Sequence, residues 1–301
     1  MKSALIATTL CAVAACAHAT PTVPNPSDCA LAAEAKQDLA DWREAGFETE
    51  TPDQTATDLA SCLGDPDPFL RDRIGYEGLT SVLRAGSVSA ETRRALIASL
   101  SAALAADDAD GFYPPFAALA LSELARTDRV EPFLTADERT GLVRTAADYL
   151  SRVTDYRAFS DTDGWRHGVA HGADFAMQLA LNSEVSTESL RLIRDAVTTQ
   201  VMPASRHAYT HGESERLARP ILFMAARGEI ETVEWQNWFA ALADPAPLES
   251  WGDAFSSEAA LARLHNLKAF AQTLYINASL SQNPNLAPIA EGGLEVLRTL
   301  P

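Results

Sequence analysis

The sequence predicts an all-α protein built of stacked helical hairpins, and three observations lead there. Helix-start signals recur along the chain. Between them leucine and alanine fall at helical spacing, as in Leu142, Ala146, Tyr149, Leu150 and Val153, and no segment sustains the apolar–polar alternation of a strand. Paired helices repeat at roughly 40–47 residues, the interval of HEAT and armadillo solenoids; a closed α/α toroid is the alternative. Either arrangement has the same physical cause. A hairpin cannot bury its apolar face alone and stacks on its neighbours.

The elements follow in order. Thr51-Pro52-Asp53-Gln54 reads as a capping box with proline at the first helical position, and Gly64 as that helix's stop. Asp67-Pro68 opens a helix to about Arg84, closed by Gly86, and Ser89 caps one through about Ala105. Asp107 to Pro115 is a loop before a helix to about Ala125, and Thr135-Ala136-Asp137-Glu138 is a second capping box, opening a helix to about Val153. A loop over Asp155 to Asp163 then leads into a helix expected from Trp165 to Leu181. Ser186 or Thr187 caps a helix to about Met202, closed by Pro203, and helices near 212–227, 231–243, 257–281 and 287–299 complete the chain.

Residues 1–19 read as an export signal, with Lys2 before an apolar run too short for a membrane span. Ala17-His18-Ala19 is an ordinary cleavage pattern, whereas Val13-Ala14-Ala15-Cys16 resembles a lipobox, which would make Cys16 the lipidated first residue. The proline-rich, uncharged stretch over 20–27 has the composition of a tether and tips the reading toward the lipidated form. The expectation is an exported protein, periplasmic or lipid-anchored at the cell envelope, with one helical domain over 28–301. Outside the leader only Cys29 and Cys62 remain, placed near a predicted helix start and a predicted helix end. In an oxidising compartment they are expected to pair. With 41 acidic against 24 basic residues and a net charge of −17, nucleic acid is excluded as a partner, and a membrane enters only through a lipid anchor.

One dense polar motif stands out, Gly164-Trp165-Arg166-His167-Gly168-Val169-Ala170-His171-Gly172-Ala173-Asp174. On one helix His167, His171, Asp174 and Gln178 would fall in a stripe roughly 60° wide. Gly164, Gly168 and Gly172 recur beside it, and helical glycine costs about 0.5–1 kcal/mol against alanine, so a close neighbour is expected. Three readings stand for His167, His171 and Asp174: a divalent-metal site such as zinc, a histidine–carboxylate cluster tying helices together, or a metal-free catalytic or ligand site. The residue after His167 is glycine, so the zincin glutamate is absent. A second cluster follows one repeat later: His207, Tyr209, His211, Glu213, Glu215, Arg216 and Arg219. If the repeats are in phase the clusters face each other, Glu213 supplies another carboxylate, and Arg216 pairs with Asp174 or an anionic ligand. Arg71, Asp72, Arg157, Trp165 and Tyr209 are candidate ligand-binding groups. The methionines, and the tryptophans at 235, 238 and 251, read as core.

These residues resemble a bacterial family catalogued as domain of unknown function 2785, from about Asp67 onward. The resemblance rests on Arg71-Asp72 with Tyr76, on Gly164-Trp165 with His167, His171, Ala173 and Asp174, and on Gly212-Glu213 with Glu215-Arg216-Leu217-Ala218. Asp155-Tyr156-Arg157-Ala158 matches a family Asp-x-Arg-Gly element with alanine in place of glycine. The resemblance implies a HEAT-like helical fold and no established activity. Two functions follow as expectations: a scaffold binding an envelope protein, peptide or small ligand, or a hydrolase, metal-dependent or not, built on His167, His171 and Asp174.

Overall fold

The computed structural model describes residues 28–301, so the expected export signal, the tether and Cys16 lie outside the described residues. Twelve α-helices are present among the described residues. They are α1 (Lys36–Glu44), α2 (Pro52–Ser61), α3 (Glu77–Arg84), α4 (Ala90–Ala103), α5 (Tyr113–Val130), α6 (Ala136–Arg152), α7 (Gly168–Ala180), α8 (Thr187–Val201), α9 (Glu213–Ala226), α10 (Thr232–Ala243), α11 (Glu258–Leu280) and α12 (Ala287–Thr299). Among the described residues the fold is all-α apart from one two-stranded ribbon, β1 (Phe159–Ser160) and β2 (Gly164–Trp165). None of the described helices is long and apolar enough to cross a membrane.

The caps explain most boundaries. The Ser89, Ser186 and Ser257 side chains each accept a backbone N–H of the first turn, and Thr135 with Glu138 forms a full capping box. The expected box at Thr51 does not form. The Thr51 N–H donates instead to Thr49 Oγ1, and the Asp53 carboxylate accepts from the Ser89 N–H, 36 residues away. The helix expected from Asp67 begins as a π-helical segment (Phe69–Tyr76) that runs directly into α3. Asp67 still caps it, accepting from the Phe69 N–H at 2.9 Å.

Helices α3, α5, α7, α9 and α11 form a row in which each packs on the next. Behind it α4 packs on α5, α6 on α7 and α8, α8 on α9, and α12 on α10 and α11. The core is continuous from Cys29 to Val296, with Leu142, Ala146, Tyr149, Leu150 and Val153 buried as their spacing requires. Cys29 and Cys62 form a disulfide; Cys29 lies in a turn ahead of α1 rather than in a helix, and Cys62 sits at the end of α2. Closing a loop of 33 residues, it stabilises by roughly 3–4 kcal/mol on a chain-entropy estimate. Trp235, Trp238 and Trp251 are core residues.

The motif helix departs most from expectation. It starts at Gly168, because Gly164-Trp165 pairs as a strand and His167 turns the chain with φ 60°. Only His171, Asp174 and Gln178 of the expected stripe share α7. The glycine at 172 has the close neighbour it requires. A Cβ there would stand 3.0 Å from a Leu150 methyl and 3.1 Å from the Tyr149 ring, so glycine lets α7 lie against α6.

Candidate functional site

The ribbon places the site. The Ser160 hydroxyl accepts from the Asp163 N–H and donates to the Asp163 carboxylate, closing the turn beyond the ladder pairs Phe159↔Trp165 and Ser160↔Gly164. The Arg166 N–H donates to the Ala158 carbonyl at 2.7 Å, and the His167 N–H to the Arg157 carbonyl at 3.1 Å. His167 then adopts the left-handed conformation at the N-terminus of α7, and its carbonyl accepts from the His171 N–H. Such a conformation costs a non-glycine residue on the order of 1–3 kcal/mol and persists only where its surroundings fix it. Here the Trp165 ring stacks on the imidazole at 4.7 Å.

Arg71 anchors the ribbon from the far side. It is fully buried, donating to the Asp72 carboxylate at 2.8 Å, the Asp65 carbonyl at 3.0 Å and the Asp163 carbonyl at 2.7 Å. The Phe112 ring is shared between two guanidiniums, Arg71 at 4.0 Å and Arg166 at 4.2 Å. Gly164, at φ 73°, leaves room for this, since a Cβ there would stand 3.2 Å from Arg71 Nη2. Burial pushes the Asp72 carboxyl up, opposed by the Arg71 charge. Arg71 and Asp72, expected to hold a ligand, hold the protein's own turn.

The two polar clusters meet as the repeat interval predicts. Arg216 hydrogen-bonds the Asp174 carboxylate, and Arg219 lies 3.8 Å from it. Burial still raises the Asp174 carboxyl above the usual range, with both guanidiniums acting against it. His167 Nε2 faces Glu213 Oε1 at 3.7 Å, both buried and both without a hydrogen-bond partner. Glu213 Oε2 accepts from the His211 N–H at 2.8 Å, and His211 meets the edge of Trp165. His171 pairs through Nδ1 with the Pro115 carbonyl at 3.2 Å; the carbonyl accepts, so the proton sits on Nδ1 and the lone pair on Nε2. Burial lowers both imidazoles, His167 to about 4 with Glu213 opposing, and His171 well below its usual value.

The remaining histidines belong to the same seam. His207 stacks on Tyr156, and its carbonyl accepts from Asn266, whose side-chain oxygen takes the Tyr209 N–H. His265 Nε2 pairs with the Tyr209 carbonyl. All five histidines of the described residues therefore lie along the junction of residues 155–171 with residues 203–213. Tyr209, expected at a ligand, is buried, its hydroxyl donating to Gln200. Arg157 turns outward to Asp155. The space between His167 and Glu213, lined also by Tyr156 and Tyr209, is too small to admit a water molecule. A cleft of about 280 Å³ lies beside Pro115, Tyr149, Asp155 and Gly168 and is lined by none of the described histidines.

Of the three readings of His167, His171 and Asp174, the metal one needs the three groups to converge, and they do not. Asp174 is committed to two guanidiniums, and among the described residues no group of three or more His, Cys, Asp or Glu side chains is arranged to hold a metal ion. Sequence reasoning missed Pro115, Phe112, Asp163 and Asn266, because three of these act through backbone groups or a ring face and the fourth lies far along the chain.

A family model described as a protein of unknown function (DUF2785) matches residues 100–276, more than half of the chain. No curated protein and no solved structure matches. The matched span contains the ribbon, both polar clusters and the helices α5, α7 and α9 that join them; Arg71 and Asp72 precede it. The chain belongs to the DUF2785 family.

Proposed function

We propose that this chain is an exported binding protein of the cell envelope, a single helical domain of HEAT-like stacked hairpins over 28–301, with the histidine–carboxylate seam as an internal joint. The observation that carries the reading is how the polar groups are spent. Asp174 faces Arg216 and Arg219, His171 is fixed to Pro115, and the space between His167 and Glu213 is too small for a water molecule. A reaction centre needs those side chains to converge on space a substrate can enter. What faces solvent instead is the outer surface of the α3–α11 row and the Phe159–Trp165 ribbon. Export, a lipid anchor at Cys16 and a partner that is an envelope protein, peptide or small ligand belong to this proposal.

A hydrolase remains the second reading, favoured by one observation. The unpaired His167 Nε2 and Glu213 Oε1 at 3.7 Å would suit a general base that awaits a third atom. A photo-crosslinking residue placed at Phe223, at Trp165 and, for comparison, at the exposed Leu192 of α8 tests the binding proposal in growing cells. A discrete adduct from Phe223 or Trp165 and none from Leu192 is expected; no adduct from any position sinks it.

A further inference from the structure

The protein carries a net charge of −17, yet one face runs the other way. Arg84 of α3, Arg126 and Arg129 of α5, and Arg216 and Arg219 of α9 lie along the row of helices, together with two buried carboxylates, Glu123 and Asp174. Contacts tie the strip together. Arg84 holds Glu123 through two hydrogen bonds, Arg129 donates to Gln178 at 3.3 Å, and Asp174, one turn before Gln178 on α7, takes Arg216 and Arg219. Glu123 and Asp174 together offset two charges of the five. Arg126 and Arg129 form no ion pair among the described residues, although each is partly sheltered, and the Arg126 charge acts on Arg129. Arg129 Nε is buried with no acceptor at all. Glu123, already held by Arg84, is the carboxylate whose charge reaches Arg129, so the two guanidiniums present an unmet demand for an anion.

The strip ends at a mainly apolar groove of about 520 Å³ between α7, α9 and α11, formed by Met177, Leu222, Phe223, Ala226 and Leu286 with Arg219 and the polar side chains of Asn277, Ser281 and Asn283. Phe223 is 38% exposed there. We infer that this face binds an extended acidic peptide segment, its carboxylates on Arg126, Arg129 and Arg219 and an apolar side chain in the groove beside Phe223. Charge complementarity selects this occupant. A cationic or neutral segment would leave the arginines unpaired, and an inorganic anion would leave the groove empty. The inference rests on the binding-protein reading and names the class of its partner.

The test is fluorescence anisotropy on the full chain with three labelled peptides of equal length, repeats of Glu-Leu-Ser, Gln-Leu-Ser and Lys-Leu-Ser. The glutamate peptide should bind, weaken as salt rises, and exceed the other two at least tenfold. Arg126→Gln with Arg129→Gln should lower its affinity at least tenfold and Phe223→Ser several-fold. Arg152→Gln, a surface change on α6, should leave it unaltered, and circular dichroism checks that each variant folds. Equal affinity for the three peptides, no binding, or full binding by the arginine double variant overturns the inference. If these peptides fail while position 223 crosslinks a partner in cells, the acidic-peptide assignment falls and the binding reading stands. If no position crosslinks and no peptide binds, both fall.

Discussion

His167 carries the largest local consequences of the fold. Its backbone is left-handed, its ring is stacked on Trp165, and burial holds its imidazole near 4 against an ordinary value of 6.5. Above pH 6.5 both the folded and the unfolded chain hold it neutral, and its contribution is complete. As pH falls from 6.5 toward 4, the unfolded chain takes up a proton that the folded chain refuses, so stability is lost through that window. Between pH 7.5 and 4.5 this ring alone should cost roughly 2–3 kcal/mol, and His171, lowered in the same direction, adds to it. Urea unfolding at the two pH values measures the loss, and His167→Gln should shrink it by that amount. An unchanged acid loss in the variant would show that the imidazole is not held neutral by burial.

At the scale of elements, the ribbon depends on a residue outside it. Arg71 reaches from the π-helical segment to the Asp163 carbonyl, 92 residues away, and shares Phe112 with Arg166. Arg71→Met would leave the half-buried Asp72 carboxylate and the Asp65, Pro66 and Asp163 carbonyls without their donor, a loss on the order of 3 kcal/mol. Hydrogen exchange should then speed up across 158–167 before it does in α7; uniform acceleration, or none, would count against Arg71 as the anchor. The same elements show what the sequence could disclose. Thr135 with Glu138, Ser89 and Ser186 act through bonds within four residues, so their caps are legible and the helix ends fall nearly where expected. Thr51 reads as a cap by the same rule, but the Asp53 carboxylate beside it is spent on Ser89 across a tertiary contact. The ribbon has two residues per strand, too few to show alternation, and a histidine at positive φ has no sequence signature.

For the whole molecule, the packing of each row helix on the next brings residues roughly forty positions apart into contact, as Asp174 with Arg216 and His167 with Glu213. The Asp174–Arg216 pair was legible from the spacing of the two clusters; that Glu213 would stand against His167 was not. Nor was the use made of these groups legible, because metal ligation and internal pairing draw on the same residue types at the same spacing. Three-dimensional direction separates the two, and here the carboxylates and ring nitrogens turn toward guanidiniums, carbonyls and each other. The basic face was likewise hidden, since Arg84, Arg126, Arg129, Arg216 and Arg219 are scattered through an acidic sequence and gather only when α3, α5 and α9 align. The central claim is that the seam is a joint. Its most direct test sets the parent protein, prepared without chelator or affinity histidines, beside the His167→Ala, His171→Ala double variant, and measures metal content and thermal unfolding of both. The account predicts no stoichiometric metal in either and a clearly lower melting temperature in the variant. Near-stoichiometric metal in the parent, lost in a variant that melts at the parent's temperature, would contradict it.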